Sequence, residues 1–167
     1  MAVLRAHGVT DVRVEHVSGD LTDHFDPKDH VIRLSDSVYN VATPAAVGVA
    51  AHEAGHAVQY ARHYAPIYIR AAIVPVTNIG SRLSMPLIVL GLALSGLGQV
   101  FYYVALAGVA CYGLCVVFQL VTLPTEFNAS RRAQGAIEES ALLLPEEQTA
   151  AKRVLTAAAL TYVAALS

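Results

Sequence analysis

Polar and apolar positions divide the chain into three stretches. Up to about residue 42, short apolar runs alternate with charged and turn-forming residues. Asp11–Val17 (DVRVEHV) and His30–Ser35 (HVIRLS) have the partial alternation of strands. Between them, Asp26-Pro27-Lys28-Asp29 is a good turn, because Pro fixes φ near the value a type I turn wants. A β-hairpin or small sheet is expected here. Thr43-Pro44 then starts a helix, with Thr as N-cap and Pro at the first helical position. That helix is expected to run to about Tyr64 and to end before Pro66.

The next stretch changes character. From Leu83 to Thr125 there is no Asp, Glu, Lys, Arg or His. One membrane helix needs about 20 apolar residues, and this run is about twice as long, interrupted at Ser95-Gly96-Leu97-Gly98-Gln99. Two membrane helices are expected, about Leu83–Leu97 and about Val100–Leu123, the first starting as early as Ile73 with a kink at Pro86. The small residues Gly91, Ser95, Ala107 and Cys111 suit close helix packing in a membrane. Polarity then returns in Thr125–Ser140, read as a helix rich in Arg and Glu. Pro145-Glu146-Glu147 opens a last one, with acids in its first turn.

Composition agrees with a membrane. The 167 residues are 55% hydrophobic and 14% charged, with a mean hydropathy of +0.50, against about 25% charged in average soluble domains. A net charge of −2 argues against a nucleic-acid partner, which needs a concentrated basic face. Cys111 and Cys115, four apart on one helix, are read as core packing rather than a disulfide. Met1–His7 is not followed by the apolar core of a signal peptide.

The chemistry sits in the helix after Thr43. All seven histidines precede residue 64, and two of them form His52-Glu53-Ala54-Gly55-His56. This HExxH pattern puts His52 and His56 on one helix face, where both reach a single metal ion, with Glu53 beside the position of a metal-bound water. A catalytic zinc takes three protein ligands and keeps a fourth position for water. Glu126 is the leading third ligand. Two membrane spans return the chain to the side it left, so the HExxH helix and Glu126 share a face, and a carboxylate just after a long uncharged run is costly unless paired or bound. A helix-start carboxylate favoured by the dipole is the plain alternative; His24, His30 and His63 are other donors. Glu53-x-x-His56 also fits half of a di-iron site, but the second Glu-x-x-His unit is missing from the sequence.

A peptide substrate needs a place to lie and a donor for its oxyanion. The strand through Ile32, Arg33 and Leu34 is the candidate exposed edge for pairing with the substrate backbone. Tyr162, Arg131 and Arg132 are the candidate oxyanion donors. The segment Asp23–Pro27 is read as a fold-specifying turn.

Several longer segments resemble one family. GDLTDHFDP (19–27), IRLSDSVYN (32–40), VAAHEAGHAVQ (49–59), VPVTNIGS (74–81), FQLVTLPTEFNASRRA (118–133) and AAKRVLTAAALTYVAAL (150–166) are similar to the neutral zinc metallopeptidases of the YugP type, small bacterial membrane proteins. The resemblance covers nearly the whole chain. It implies a membrane-bound metallopeptidase. Glu126-Phe127-Asn128-Ala129-Ser130 also resembles the glutamate-ligand helix of the wider HtpX/Ste24 group of gluzincins, which carries the third zinc ligand over to Glu126. That group usually has an Asp four residues later, where this chain has Ser130. The family usually begins with a further membrane anchor and continues its last helix, so the chain reads as a short form or a fragment.

These readings give one expectation. The fold class is mainly α: a small N-terminal β-hairpin or sheet, an HExxH zincin helix, a two-helix transmembrane hairpin and C-terminal helices. Residues 1–167 form a single membrane metallopeptidase domain: 1–42 β-rich, 43–64 the HExxH helix, 65–125 linker and transmembrane hairpin, 126–167 the third-ligand and C-terminal helices. The expected function is zinc-dependent endopeptidase, with one Zn2+ per chain and Glu53 as general base, acting on peptide or membrane-protein substrates. Positive charge before the hairpin (Arg62, Arg70, Arg82) and after it (Arg131, Arg132, Lys152, Arg153) implies a multi-pass protein of the cell membrane with its active site in the cytoplasm. The alternatives are a non-catalytic membrane scaffold with a structural metal site, and an oligomer that packs the apolar hairpin in solution.

Overall fold

The computed structural model describes residues 1–140 and 143–164, with side chains described up to 139 and from 143 to 157. Its elements run α1 (Ala2–Ala6), β1 (Arg13–His16), β2 (His24–Asp26), β3 (Val31–Leu34), α2 (Pro44–Ala61), α3 (Ala65–Ala93), a 3-10 turn (Ser95–Leu97), α4 (Gln99–Ser140) and α5 (Pro145–Ala164). The fold is mainly helical with a small N-terminal sheet, as expected. The chain divides into two compact units. The first takes residues 1–67 with 123–165, the second residues 68–122.

In the first unit the sheet order is β1-β3-β2. The turn after Asp26 is built as its sequence implies. The Asp26 carboxylate accepts the Lys28 N–H at 2.9 Å, and the Arg33 guanidinium donates to both Asp26 and Asp29 at 2.6 Å. Asp23 holds the other end of the hairpin, accepting from the backbone N–H and hydroxyl of Ser35. Pairing departs from expectation, however. The hairpin joins β3 to β2, a three-residue strand too short to show alternation, while β1 pairs with β3 in parallel. Ile32, Arg33 and Leu34 therefore lie in the central strand. The expectation of an exposed edge there is corrected: Ile32 and Arg33 pair with strands on both sides, and Leu34 pairs with His16 of β1.

Helix α2 begins where Thr43 Oγ1 accepts the Ala46 N–H at 3.2 Å and Pro44 occupies the first turn. It packs on α1, β2, β3 and α5. Its buried face includes Ala51, Ala54, Ala57 and Val58, in a core shared with Leu4, Ile32, Ala133, Ile137 and Leu155. Small side chains on this face let other backbone come near. At Gly55 the approach is extreme: a β-carbon there would stand 2.5 Å from the Ala129 carbonyl oxygen of α4. Only glycine tolerates that contact.

The second unit is α3 and the early part of α4, which turn back on each other through the Ser95–Leu97 turn and Gly98, whose φ is +151°. Close approach recurs here. A β-carbon on Gly91 would meet the Ala105 nitrogen at 2.4 Å, and one on Gly108 the Ser84 carbonyl at 2.9 Å. Cys111 and Cys115 are free thiols, with Cys115 buried. Large apolar side chains such as Met85, Val89, Leu92, Val109 and Val117 face outward. Both helices exceed the expected spans. α3 starts at Ala65 and carries Pro75 and Pro86 inside it, and α4 continues through Pro124 to Ser140 without a break. The helix expected to start separately at Thr125 is thus the end of α4. One proline removes one backbone bond and does not by itself end a helix held by its neighbours.

Candidate metal centre

Helix geometry brings His52 and His56 to the same face of α2, both buried. Glu53, between them in sequence, is half-buried. Glu126 approaches from α4 and is itself only 1% exposed. Its Oε2 lies 3.1 Å from His52 Nε2 and 3.4 Å from His56 Nε2. One donor atom from each of the three falls within 4.8 Å of the others, the only such cluster of His, Cys, Asp and Glu among the described residues. Zinc bonds of about 2.0–2.1 Å at the tetrahedral angle set donors about 3.3–3.4 Å apart, so the observed separations suit one ion.

The hydrogen bonds behind the imidazoles strengthen that fit. Gln59, fully buried, donates through Nε2 to the Thr125 carbonyl at 2.7 Å and to Asn128 Oδ1 at 3.0 Å. A carbonyl only accepts, so this amide orientation is fixed. Gln59 Oε1 must then accept from His56 Nδ1, 3.0 Å away. The same logic holds at His52. Ser130 Oγ donates to the Leu155 carbonyl at 3.1 Å, which leaves its lone pair to accept from His52 Nδ1, also at 3.1 Å. Both neutral rings are therefore Nδ1–H tautomers, and both Nε2 lone pairs face a carboxylate. Three electron-rich atoms converge where they would repel. A single divalent cation satisfies all three donors at once.

The remaining candidates are dispersed. Arg131 is exposed on α4. Arg132 is half-buried and donates through Nε to Asn128 Oδ1 at 2.8 Å, so it joins the hydrogen-bond chain behind the site. The Tyr162 side chain lies outside the described residues. Ile32 and Leu34 are buried in the central strand, and Arg33 is engaged by Asp26 and Asp29. Those two bonds raise the Arg33 pKa, with Asp29 the larger influence, while the Arg33 hydrogen bond is the main cause of a lowered Asp26 pKa.

Sequence reasoning missed Gln59 altogether and saw Ser130 only as a missing Asp. A signal for Gln59 was present, since it follows His56 by one helical turn. The pairing of Ser130 with Leu155 depends on α5 and has no local signature.

The arrangement defines a class first: a buried centre of two imidazoles and one carboxylate held by two helices. The comparison with known proteins then gives the family. Residues 1–167 match the model described as "Putative neutral zinc metallopeptidase", and the chain belongs to that family. It is similar to "Putative membrane protease YugP" of Bacillus subtilis (strain 168), with 42% identity over 163 residues, covering 98% of this chain and 70% of that protein. No solved structure matches. Family membership implies zinc, and the relative's name together with two long apolar helices points to membrane association.

Proposed function

We propose that the protein is an integral-membrane zinc endopeptidase holding one Zn2+ per chain on His52, His56 and Glu126. The observation that carries this reading is the convergence of two Nε2 lone pairs on the Glu126 carboxylate. Zinc bound there would supply a Lewis acid for the scissile carbonyl and an acidified water. Glu53, adjacent to His52 and half-buried, accepts the proton of the attacking water and delivers it to the departing amine as the C–N bond breaks. The protein's part is to hold this carboxylate beside the donor set and to keep both imidazoles in one tautomer.

A structural site closed by four protein ligands is the competing arrangement. Three donors, with Glu53 next to His52 in the sequence, favour the open, catalytic one. The outward-facing apolar side chains of α3 and early α4 support two membrane spans, and the arginines and lysine flanking an uncharged tip support a cytoplasmic orientation of both ends. The test uses detergent-solubilised protein, assayed for zinc content and for cleavage of a casein-like substrate. The parent should contain one zinc and cleave, a chelator should abolish cleavage, and Glu53→Gln should keep the zinc while losing roughly 100-fold or more in rate. A Gln variant as fast as the parent removes Glu53 from the chemistry. A parent free of zinc removes the centre.

A further inference from the structure

The imidazoles of the proposed centre are backed in an uncommon way, and the inference drawn here rests on the zinc reading above. Metal-bound histidines generally pass their second N–H to a carboxylate, a backbone carbonyl or water, and a carboxylate there raises the basicity of the ligand. Here both Nδ1 atoms meet uncharged side chains, Ser130 Oγ and Gln59 Oε1. Each of these in turn ends on a main-chain carbonyl, Leu155 of α5 and Thr125 of α4. The two relays differ in what they couple. Ser130 ties the orientation of the His52 ring to α5, a helix that contributes no ligand among its described residues. Gln59 ties the His56 ring to the residue preceding Glu126, so one buried amide sets the spacing of donors from α2 and α4.

We propose that Gln59 and Ser130 are positioning residues that hold both rings as Nδ1–H donors to neutral partners, so that among the described residues Glu126 is the one carboxylate facing the imidazole pair and the metal is held less tightly than a carboxylate-backed site would hold it. Two consequences follow. The relay residues control metal affinity without touching the metal, and a carboxylate introduced behind His52 tightens the site.

The experiment measures zinc affinity of the full chain in detergent by competition with a chromophoric chelator, with cobalt absorption as a second readout of coordination. Ser130→Ala and Gln59→Leu should weaken zinc by about 10–100-fold and shift the cobalt bands, and Ser130→Thr should restore parental affinity. Ser130→Asp should tighten zinc by a similar factor, an outcome that misfolding cannot mimic. Parental affinity in both Ser130→Ala and Gln59→Leu overturns the positioning roles while leaving the zinc site standing. An Asp variant that is folded by circular dichroism but no tighter overturns the neutral-backing argument. A parent that binds neither zinc nor cobalt overturns the underlying reading instead.

Discussion

Replacing Gly55 by Ala adds a single methyl group, yet it strikes the site at its tightest point. The new β-carbon would lie 2.5 Å from the Ala129 carbonyl oxygen and 3.0 and 3.1 Å from Ala129 C and Cα. All three are main-chain atoms, so no side-chain rotation relieves the overlap. Ordinary contact begins at 3.4 Å, about 0.9 Å farther out. If α2 and α4 separate by that amount, the two Nε2–Oε2 distances grow from 3.1 and 3.4 Å to as much as about 4.0 and 4.3 Å. Two donors bonded to one zinc are at most about 4.2 Å apart, and only when diametrically opposed. A three-ligand site cannot survive that opening, and zinc affinity should fall by at least about 100-fold. Stability moves less. Overpacking costs about 1–3 kcal/mol, against a gain of about 1 kcal/mol in helix propensity on losing a glycine. The control is Gly135→Ala on α4, where a β-carbon meets nothing within 4 Å and the same propensity gain should appear alone. Chelator competition and thermal unfolding of both variants provide the assay. Parental zinc affinity in Gly55→Ala would refute the claim that this crossing sets the donor spacing.

Glu126→Gln keeps the size of the side chain and removes its charge; zinc retained per chain after dialysis should drop below half, measured by elemental analysis. In the hairpin, Gly91→Leu drives a side chain into the Ala105 backbone and should lower the detergent-state melting temperature, read by circular dichroism. The Asp26 carboxyl is held below its unfolded value of 3.8, chiefly by Arg33. Its contribution to stability is thus fully present above that value and fades as pH falls through the lower folded value. Urea midpoints should therefore decline on acidification below about pH 4, and less steeply in Asp26→Asn than in the parent.

The parts of the fold legible in the sequence were those encoded locally. Thr43-Pro44, the alanine-rich run after it and the 43-residue absence of charge gave α2 and the paired apolar helices directly. The HExxH residues needed only helical periodicity. Glu126 needed a long-range argument, because its farther partner, His52, lies 74 residues earlier. The boundary expected at Thr125 failed for a physical reason: polarity changes there, but backbone hydrogen bonding does not respond to polarity, and α4 runs on. The small sheet was legible but its second strand in chain order was not, because β2 is three residues long, and parallel pairing of β1 with β3 leaves no mark in either segment. Gln59 and Ser130 owe their roles to atoms on other helices, and those contacts exist only once α2, α4 and α5 are assembled.

That 74-residue separation also bears on how the molecule comes into being. During synthesis the histidine pair leaves the ribosome well before its carboxylate does, so a firm grip on the ion has to wait until Glu126 has emerged. Closing a loop of this length costs about 4 kcal/mol in chain entropy beyond a length-independent constant, and an ion that binds all three donors helps to offset it. Metal capture then follows the assembly of α2 with α4, and a cell short of zinc would accumulate chains that remain unlatched.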